Sequence, residues 1–283
     1  MVLVVVSGPL SIPRTAAWVW HAPPRPIFGV EAVIVRCATG TSPNGGAFDY
    51  AANYRRWADA RGLAVIPWTW FGPPASSDGR AAADLLCNIA PGKPLYLVEI
   101  QSDPPAEEVV AFARRMRERE PNALQAFSSL PTRDQASAAG VPWDACVDQF
   151  DLGFPQVYTA AQRALLLRAP SPVVADMAGK PIHVAVFPDS DPGWLESARA
   201  GVARHAGVSA WAVDQSSFPT WRRQLSALPA QNGRPPPRRA PGEEALMANR
   251  IVAIVQAHLD AGGKLGDDQL VSDVERALRD GAT

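Results

Sequence analysis

The sequence predicts an α/β fold of the (β/α)8 barrel class. Eight short runs rich in β-branched and aromatic residues follow one another, and helix-like segments separate most of them. Strand–helix alternation of this kind indicates parallel pairing with right-handed crossovers, and eight such units are enough to close a barrel. An open, doubly wound sheet is the main alternative. The sequence favours the barrel because no Gly-rich phosphate turn follows any run.

The predicted strands have the lengths expected of a buried parallel sheet. They are 15–22, 31–38, 63–71, 94–101, 123–130, 152–159, 181–189 and 207–215. Apolar residues recur every three or four positions between them, which predicts helices over 48–62, 77–92, 105–120, 159–170 and 191–207. The first crossover, residues 23–30, is too short and too rich in proline for a helix, so we expect an irregular first unit.

Composition divides the chain into three parts. We expect the barrel over 1–229 and a stiff Pro/Arg-rich linker over 230–242, where three prolines are consecutive. Residues 243–283 show two short amphipathic patterns. Because two such helices cannot form a core of their own, this helical tail is expected either to dock on the barrel or to bind a protein partner.

Charge and hydropathy exclude several classes of function. The net charge is −1, from 27 basic and 28 acidic residues, which argues against nucleic acid or anionic membranes as partners. No apolar run is long enough to span a membrane. The apolar N-terminus lacks a basic n-region, so we expect synthesis in the cytoplasm without a signal peptide. Export by lysis or assembly into a virion or other particle stays open.

Active sites of such barrels lie at the carboxyl ends of the strands. Those ends are rich here in aromatic, amide and carboxylate side chains, the mixture that sugar rings require. The candidate catalytic residues are Glu99 and Asp214, and the candidate substrate-binding residues are His21, Arg36, Trp68, Trp70, Gln101, Gln156, Tyr158 and Asp189. No cofactor is expected, and no His and carboxylate cluster has metal-ligand spacing.

Strand periodicity predicts which side chains face the lumen. Because side chains alternate, Leu97, Glu99 and Gln101 share one face of their strand. Glu99 and Asp214 then form an acid/base or acid/nucleophile pair if about 5–9.5 Å separates them. The structural alternative for Glu99 is a buried ion pair with Arg36 that holds the barrel together.

Other chemistries have weaker support. Cys37, His21 and Asp189 form a conceivable nucleophile constellation, but no cysteine hydrolase signature accompanies them. Ser128 and Ser129 lack the G-x-S-x-G elbow. A small-molecule enzyme such as an aldolase would need a lysine at a strand end, and none is present.

Four strand-end motifs between residue 15 and about residue 225 form a pattern: "WVWH", "EIQ", "FPQVY" and "WAVDQSSF". Together they resemble the family 25 glycoside hydrolases, the muramidase barrels of phage endolysins and bacterial cell-wall enzymes. The sequence resembles a related set of phage and actinobacterial barrels more closely still. The resemblance implies a barrel that binds or cleaves a polysaccharide, with peptidoglycan as the expected substrate.

The sequence departs from the family pattern at its carboxylates. The family's first strand carries an aspartate where Trp18 stands, and its D-x-E motif aligns either with Glu99 and Gln101 or with Leu97 and Glu99. One expected carboxylate is missing in both alignments, and an amide does not donate a proton as a carboxylic acid does. Two hypotheses follow: a glycoside hydrolase, or a catalytically degenerate barrel that serves as a structural or binding component of a phage virion or contractile injection machine.

Overall fold

The computed structural model describes residues 12–19, 30–43, 58, 63–72, 78–100, 103–188 and 190–211. The linker and helical tail predicted over 230–283 lie outside this part of the chain. So do most of the first crossover and the helix predicted over 48–62. The domain boundaries therefore stay predictions.

The described strands form a closed, parallel (β/α)8 barrel, as the sequence predicts. In chain order they are β1 (Thr15–Val19), β2 (Ala32–Thr39), β3 (Ser42–Pro43), β4 (Ala64–Phe71), β5 (Leu95–Ile100), β6 (Leu124–Ser129), β7 (Leu152–Val157), β8 (His183–Val186) and β9 (Gly207–Ala210). The two-residue β3 pairs antiparallel to the end of β2. The other eight strands pair in parallel, and β1 pairs with both β2 and β9 and so closes the barrel.

Helices follow the strands as expected for this class. They are α1 (Gly79–Ile89), α2 (Ala106–Arg119), α3 (Arg133–Ala138), α4 (Trp143–Gln149), α5 (Ala160–Leu167), α6 (Pro172–Ala175) and α7 (Trp194–Arg204). The sequence pattern predicts α1, α2, α5 and α7. It misses the three short helices α3, α4 and α6, because four to seven residues are too few to establish a 3.6-residue period.

Local sequence explains where two of these helices begin. The Asp78 side chain accepts a hydrogen bond from the Ala81 N–H and caps α1. Thr159 and Gln162 form a capping box at the start of α5, in which each side chain bonds the other residue's backbone. This second cap fixes the path of the chain as it leaves the carboxyl end of β7, next to the candidate site.

Two separate apolar cores support the barrel. The outer core lies between strands and helices and includes Tyr96, Val98 and Ile100 from β5. The inner core fills the lumen and includes Leu97 from the same strand. The alternation predicted for β5 is therefore confirmed. Large aromatic rings from β1, β4 and β7 dominate the lumen, which makes it a packed interior rather than a channel.

Candidate functional site

Glu99 lies near the carboxyl end of β5, where active sites of this fold class are found. It shares the lumen face with Leu97 and is only 5% exposed. Strand register places Trp70 of β4 beside it on one side and Ser128 of β6 on the other. Three neighbouring strands therefore bring their polar or aromatic ends together around one carboxyl group.

A chain of hydrogen bonds holds the Glu99 side chain. Gln156 of β7 donates through Nε2 to Glu99 Oε1 at 2.9 Å and to Ser128 Oγ at 3.1 Å. Ser128 Oγ donates in turn to the carbonyl oxygen of Phe154 at 3.1 Å. The chain crosses three strands, and all of its side chains are buried. It fixes Glu99 in one orientation.

Burial raises the pKa of Glu99 to about 7, because the charged carboxylate loses most of its hydration. The hydrogen bond from Gln156 and the positive charge of Arg36 act in the opposite direction and lower this pKa. Desolvation is the larger effect. Near neutral pH the Glu99 carboxyl is therefore poised between its acid and base forms, as a proton-transfer group must be.

Arg36 lies at the same end of the barrel, on β2. Its guanidinium donates to the hydroxyl of Thr39, and its Cζ lies 5.7 Å from the centre of the Trp68 ring. A register shift between Arg36 and Ala38 interrupts the regular pairing of β2 with β4 just after this residue. The Arg36 charge acts electrostatically on Glu99, and the Gln156 amide donates a hydrogen bond to the Glu99 carboxyl.

The two tryptophans of β4 differ in depth. Trp68 is 0% exposed and packs edge-on against Trp18 and Trp211, with ring centroids at 5.3 and 5.7 Å. Trp70 is half-buried, and its Nε1 has no hydrogen-bond partner among the described residues. The Trp68 ring is covered by the lumen packing. Of the stacking platform predicted for this pair, only Trp70 therefore stays a candidate.

Tyr158 follows β7 and is held from several sides. Its N–H donates to Gln162 Oε1 at 2.9 Å, and its carbonyl accepts from Ser190 Oγ at 2.6 Å. The ring packs edge-on against Phe187 and Trp211, at centroid distances of 5.8 and 6.3 Å. Burial, followed by the Glu99 charge, raises the pKa of Tyr158 well above its usual value. Its hydroxyl is buried without a partner among the described residues.

Six of the predicted site residues therefore lie in the described barrel, at or near its carboxyl end. They are Arg36, Trp68, Trp70, Glu99, Gln156 and Tyr158. The other four, His21, Gln101, Asp189 and Asp214, lie outside the described residues. The separation of Glu99 and Asp214 accordingly stays a prediction.

The structure adds a buried carboxylate that the sequence reasoning missed. Asp191, in the loop after β8, is 0% exposed and forms an ion pair with Arg163 of α5. Its Oδ1 also accepts from the Gly193 N–H at 3.0 Å. A Cβ at position 193 would overlap the Arg163 guanidinium, so a larger residue there has to displace that side chain. An aspartate just before Pro-Gly and a helix was the available signal, and it is also typical of an ordinary cap.

Two other chemistries lose support in the described residues. Burial raises the pKa of Cys37 to about 12, so its thiol is not a thiolate nucleophile near neutral pH. Lys93 and Lys180 precede β5 and β8 and so lie toward the amino ends of these strands, away from the site.

No group of three potential metal ligands occurs within the described ranges. None of the described helices is long and apolar enough to cross a membrane.

No protein-family model matches the chain, and no curated protein matches it. Solved structures do match. A GH18 chitinase from Pseudoalteromonas aurantia aligns with 75% of this chain and 99% of its own, at 12% identity and a TM-score of 0.50. The catalytic domain of a mannanase from Streptomyces sp. SirexAA-E is 17% identical, with 65% and 66% of the two chains covered and a TM-score of 0.43.

A dihydrodipicolinate synthase from Agrobacterium tumefaciens str. C58 covers 96% of this chain and 98% of its own, at 14% identity and a TM-score of 0.45. The mannanase and synthase alignments fall below a TM-score of 0.5 and carry no argument. At 12% identity the chitinase alignment shows the fold alone. The comparisons thus support a barrel of this class, and they do not single out glycoside hydrolase family 25.

Proposed function

We propose that this barrel is a glycoside hydrolase that acts on a polysaccharide, with peptidoglycan as its substrate and Glu99 as its general acid/base. One observation carries the proposal. A buried carboxyl group with a pKa of about 7 stands near the carboxyl end of β5, held by a hydrogen bond from Gln156. A glycosidic oxygen needs a proton donor that is still protonated near neutral pH, and Glu99 meets that requirement.

Hydrolysis also needs a second carboxylate. Asp214 takes this role in the proposal, as nucleophile or as the base that activates water. Glycosidases place the two carboxyl groups about 5–5.5 Å apart when they retain configuration and about 6.5–9.5 Å apart when they invert it. A separation outside both ranges would remove Asp214 from the mechanism.

Sugar recognition falls to the remaining residues at the carboxyl end of the barrel. Trp70 offers a half-buried ring and an N–H without a partner among the described residues, and Tyr158 offers a buried hydroxyl in the same condition. Such groups gain a hydrogen bond when a sugar hydroxyl or carbonyl approaches. Arg36, His21, Gln101 and Asp189 are proposed as further contacts to the glycan.

A second function is favoured by a specific observation in the lumen. Trp18 fills a position at which the resemblance to family 25 leads one to expect an aspartate, and in one of the two alignments so does Leu97; both are buried apolar residues. A barrel altered in this way suits glycan binding without cleavage. In this alternative the linker and helical tail attach the barrel to a phage virion or contractile injection machine. The protein is then carried in the particle or released by lysis.

The experiment that separates the two functions combines hydrolysis with binding. Release of reducing sugar from purified peptidoglycan is measured for wild type, Glu99→Gln and Asp214→Asn, and co-sedimentation with insoluble peptidoglycan is measured for the same proteins. Ser129→Ala is a matched control, since Ser129 ends β6 next to Ser128 and its hydroxyl has no partner among the described residues.

Three outcomes are distinct. Hydrolysis by wild type and Ser129→Ala that is lost in Glu99→Gln supports the enzyme. Sedimentation without hydrolysis by wild type, weakened by Trp70→Ala, supports the binding module. Neither hydrolysis nor sedimentation, with peptidoglycan and with a panel of other glycans, contradicts both functions.

A further inference from the structure

A groove opens on the outer wall of the barrel, among the helices that follow the strands of Glu99 and Ser128. Its volume is about 320 Å³, at the lower end of the range for small-ligand sites. The start of α2, the helix α3 and the first turn of α4 line it. Because α2 follows β5 and the other two helices follow β6, the groove belongs to the same two βα units as the centre of the candidate site.

The groove lies against the connection that leads away from Glu99. Gly140, in the turn between α3 and α4, has a φ of +77°, and a Cβ there would lie 2.8 Å from the Cβ of Asp103. This turn therefore packs closely on the loop from β5 to α2. Ala106 lines the groove at the end of that loop, and Glu99 lies near its beginning. A polymer bound over Glu99 needs only a short branch to reach the groove.

The lining of the groove is apolar but offers no aromatic face. Trp143 is only 3% exposed, and its Nε1 donates to the carbonyl oxygen of Asp176 at 3.1 Å. Since a sugar ring stacks on an exposed aromatic face, the groove lacks what a further sugar subsite requires. The remaining apolar lining is aliphatic and comes from Ala106, Val141, Pro142 and Ala145.

An exposed ion pair lies at the edge of the groove. Arg133 and Asp144 both line it and are 2.8 Å apart, with side chains 54% and 75% exposed. The Arg133 backbone N–H donates to Asp176 Oδ2 at 2.8 Å and anchors the start of α3. An ion pair this exposed contributes little to stability, so both of its members exchange partners at small cost. A ligand with one carboxylate and one ammonium group provides both new partners.

We propose that this groove binds the peptide stems of peptidoglycan, with Arg133 receiving a carboxylate of the stem and Asp144 an ammonium group. The inference rests on the proposed substrate and extends its recognition from the sugars to the peptide. Peptidoglycan differs from other glycans in the short peptides that branch from its sugars, which carry methyl groups, carboxylates and amino groups. The guanidinium suits a carboxylate, the aliphatic lining suits methyl groups, and the two opposite charges set the direction of the peptide.

Titration of the full chain with a free peptide tests the inference without any hydrolysis. The probe is alanyl-γ-D-glutamyl-lysyl-D-alanine, and the readout is the ¹H–¹⁵N signal of the Trp143 indole, assigned by its absence in Trp143→Phe. We expect a saturable shift of this signal in wild type. The indole signals of Trp18 and Trp68 serve as the internal reference, because both rings are buried in the lumen.

Two variants each remove one charge at an exposed position. Arg133→Gln and Asp144→Asn should bind the peptide about ten-fold more weakly, the usual effect of losing one charge-assisted hydrogen bond. Arg80→Gln is the matched control and should bind as wild type does. Arg80 is 64% exposed and also pairs with a carboxylate, that of Glu118 at 3.7 Å, but it lies on α1.

The peptide itself provides the complementary controls. A form with acetylated amino groups loses the partner of Asp144, and a form with amidated carboxyl groups loses the partner of Arg133. Each should bind wild type about ten-fold more weakly than the unmodified peptide.

The absence of a saturable Trp143 shift would overturn the inference. Equal affinity in wild type, Arg133→Gln and Asp144→Asn, or equal affinity for the blocked peptides, would overturn it as well. The titration also keeps the two proposals apart. Peptide binding by a protein that cleaves no glycan would leave the groove assigned and overturn only the hydrolase, whereas hydrolysis of peptidoglycan without peptide binding would overturn only the role of the groove.

Discussion

The rings of Trp18 and Trp211 are stacked, with centroids 4.3 Å apart and planes 9° from parallel. They come from opposite ends of the barrel sequence, from β1 and from the residue after β9. Trp18 also donates through Nε1 to Ser209 Oγ of β9 at 3.0 Å. Both contacts therefore join the first barrel strand to the last, where closure depends on residues nearly two hundred positions apart.

The first prediction concerns this closure. Trp18 is 1% exposed and packs against the rings of Trp68 and Phe154 as well as Trp211. We expect Trp18→Ala to lower the free energy of unfolding by about 3–5 kcal/mol, the usual effect of deleting a buried aromatic ring. Urea unfolding followed by circular dichroism measures it. Trp18→Phe should lose less, because part of the packing remains.

Val174→Ala is the control, since Val174 is 37% exposed. It should change the free energy of unfolding by no more than about 0.5 kcal/mol. A loss below about 1 kcal/mol in Trp18→Ala would show that the lumen collapses around the missing ring and that the stack contributes little to closure.

The period of side chains along each strand predicts the strands and the face on which each residue lies. It does not predict contacts between strands, because these depend on the stagger of one strand against another. Alternation alone places Glu99 in the lumen and Val98 against the helices, because each follows from the period of one strand. The bond between Glu99 and Gln156 depends on the relative heights of β5 and β7, with β6 between them. No pattern within a single strand contains that quantity.

The same limit explains the two tryptophans of β4. Trp68 and Trp70 share one face, so periodicity treats them alike. The register of β4 against β5 places Trp70 beside Glu99 and Trp68 beside Leu97, one layer deeper. Asp191 was missed for another reason: its role depends on Arg163, which belongs to a different βα unit.

The second prediction uses the raised pKa of Glu99. The carboxyl titrates near 7 in the fold and near 4.5, its ordinary value, in the unfolded chain. Between these values the folded state binds more protons, so the Glu99 contribution to stability falls as pH rises from about 4.5 to about 7 and is constant above. Over this range it changes by about 3 kcal/mol.

Glu99→Gln removes this titration while preserving the shape of the side chain. The difference in free energy of unfolding between Glu99→Gln and wild type should therefore grow in favour of the variant between pH 4.5 and 7. Urea unfolding at intervals of half a pH unit measures it. A constant difference across the range would mean that burial does not raise the pKa of Glu99.

The third prediction concerns His183 and has the opposite sign. His183 is 0% exposed, stacks on Phe154 at 4.4 Å and bonds the Pro13 carbonyl oxygen through Nε2 at 2.9 Å. Burial lowers the pKa of His183 from 6.5 to about 3, so the unfolded chain binds the extra proton. Stability from this residue is present above pH 6.5 and declines as pH falls toward 3.

Between pH 6.5 and 4.5 the loss is about 3 kcal/mol. In His183→Gln this slope should disappear. The free energy of unfolding of the variant, minus that of wild type, should therefore rise steadily as the pH falls from 6.5 to 4.5. Opposite slopes from Glu99 and His183 overlap from 4.5 to 6.5, so wild type alone should look nearly flat there. If His183→Gln and wild type show the same pH dependence, the imidazole is hydrated in the fold.

The last prediction tests the ion pair that ties α5 to the loop after β8. Gly193 has an ordinary φ of −91°, so alanine is compatible with its backbone, and the difficulty is the Arg163 guanidinium that occupies the space of a Cβ. Gly193→Ala should displace Arg163 and leave the Asp191 carboxylate buried without its cation. Breaking a buried pair completely costs about 3–5 kcal/mol, and this is the upper limit for Gly193→Ala because the Arg163 side chain is flexible.

A double-mutant cycle identifies the cause. Arg163→Ala removes the same partner, so Gly193→Ala combined with Arg163→Ala should unfold at nearly the urea concentration of Arg163→Ala alone. Ser190 directly precedes Asp191 in the sequence, and Ser190 Oγ donates to the Tyr158 carbonyl oxygen. Additive losses in the double variant would instead mean that Gly193 and Arg163 act independently.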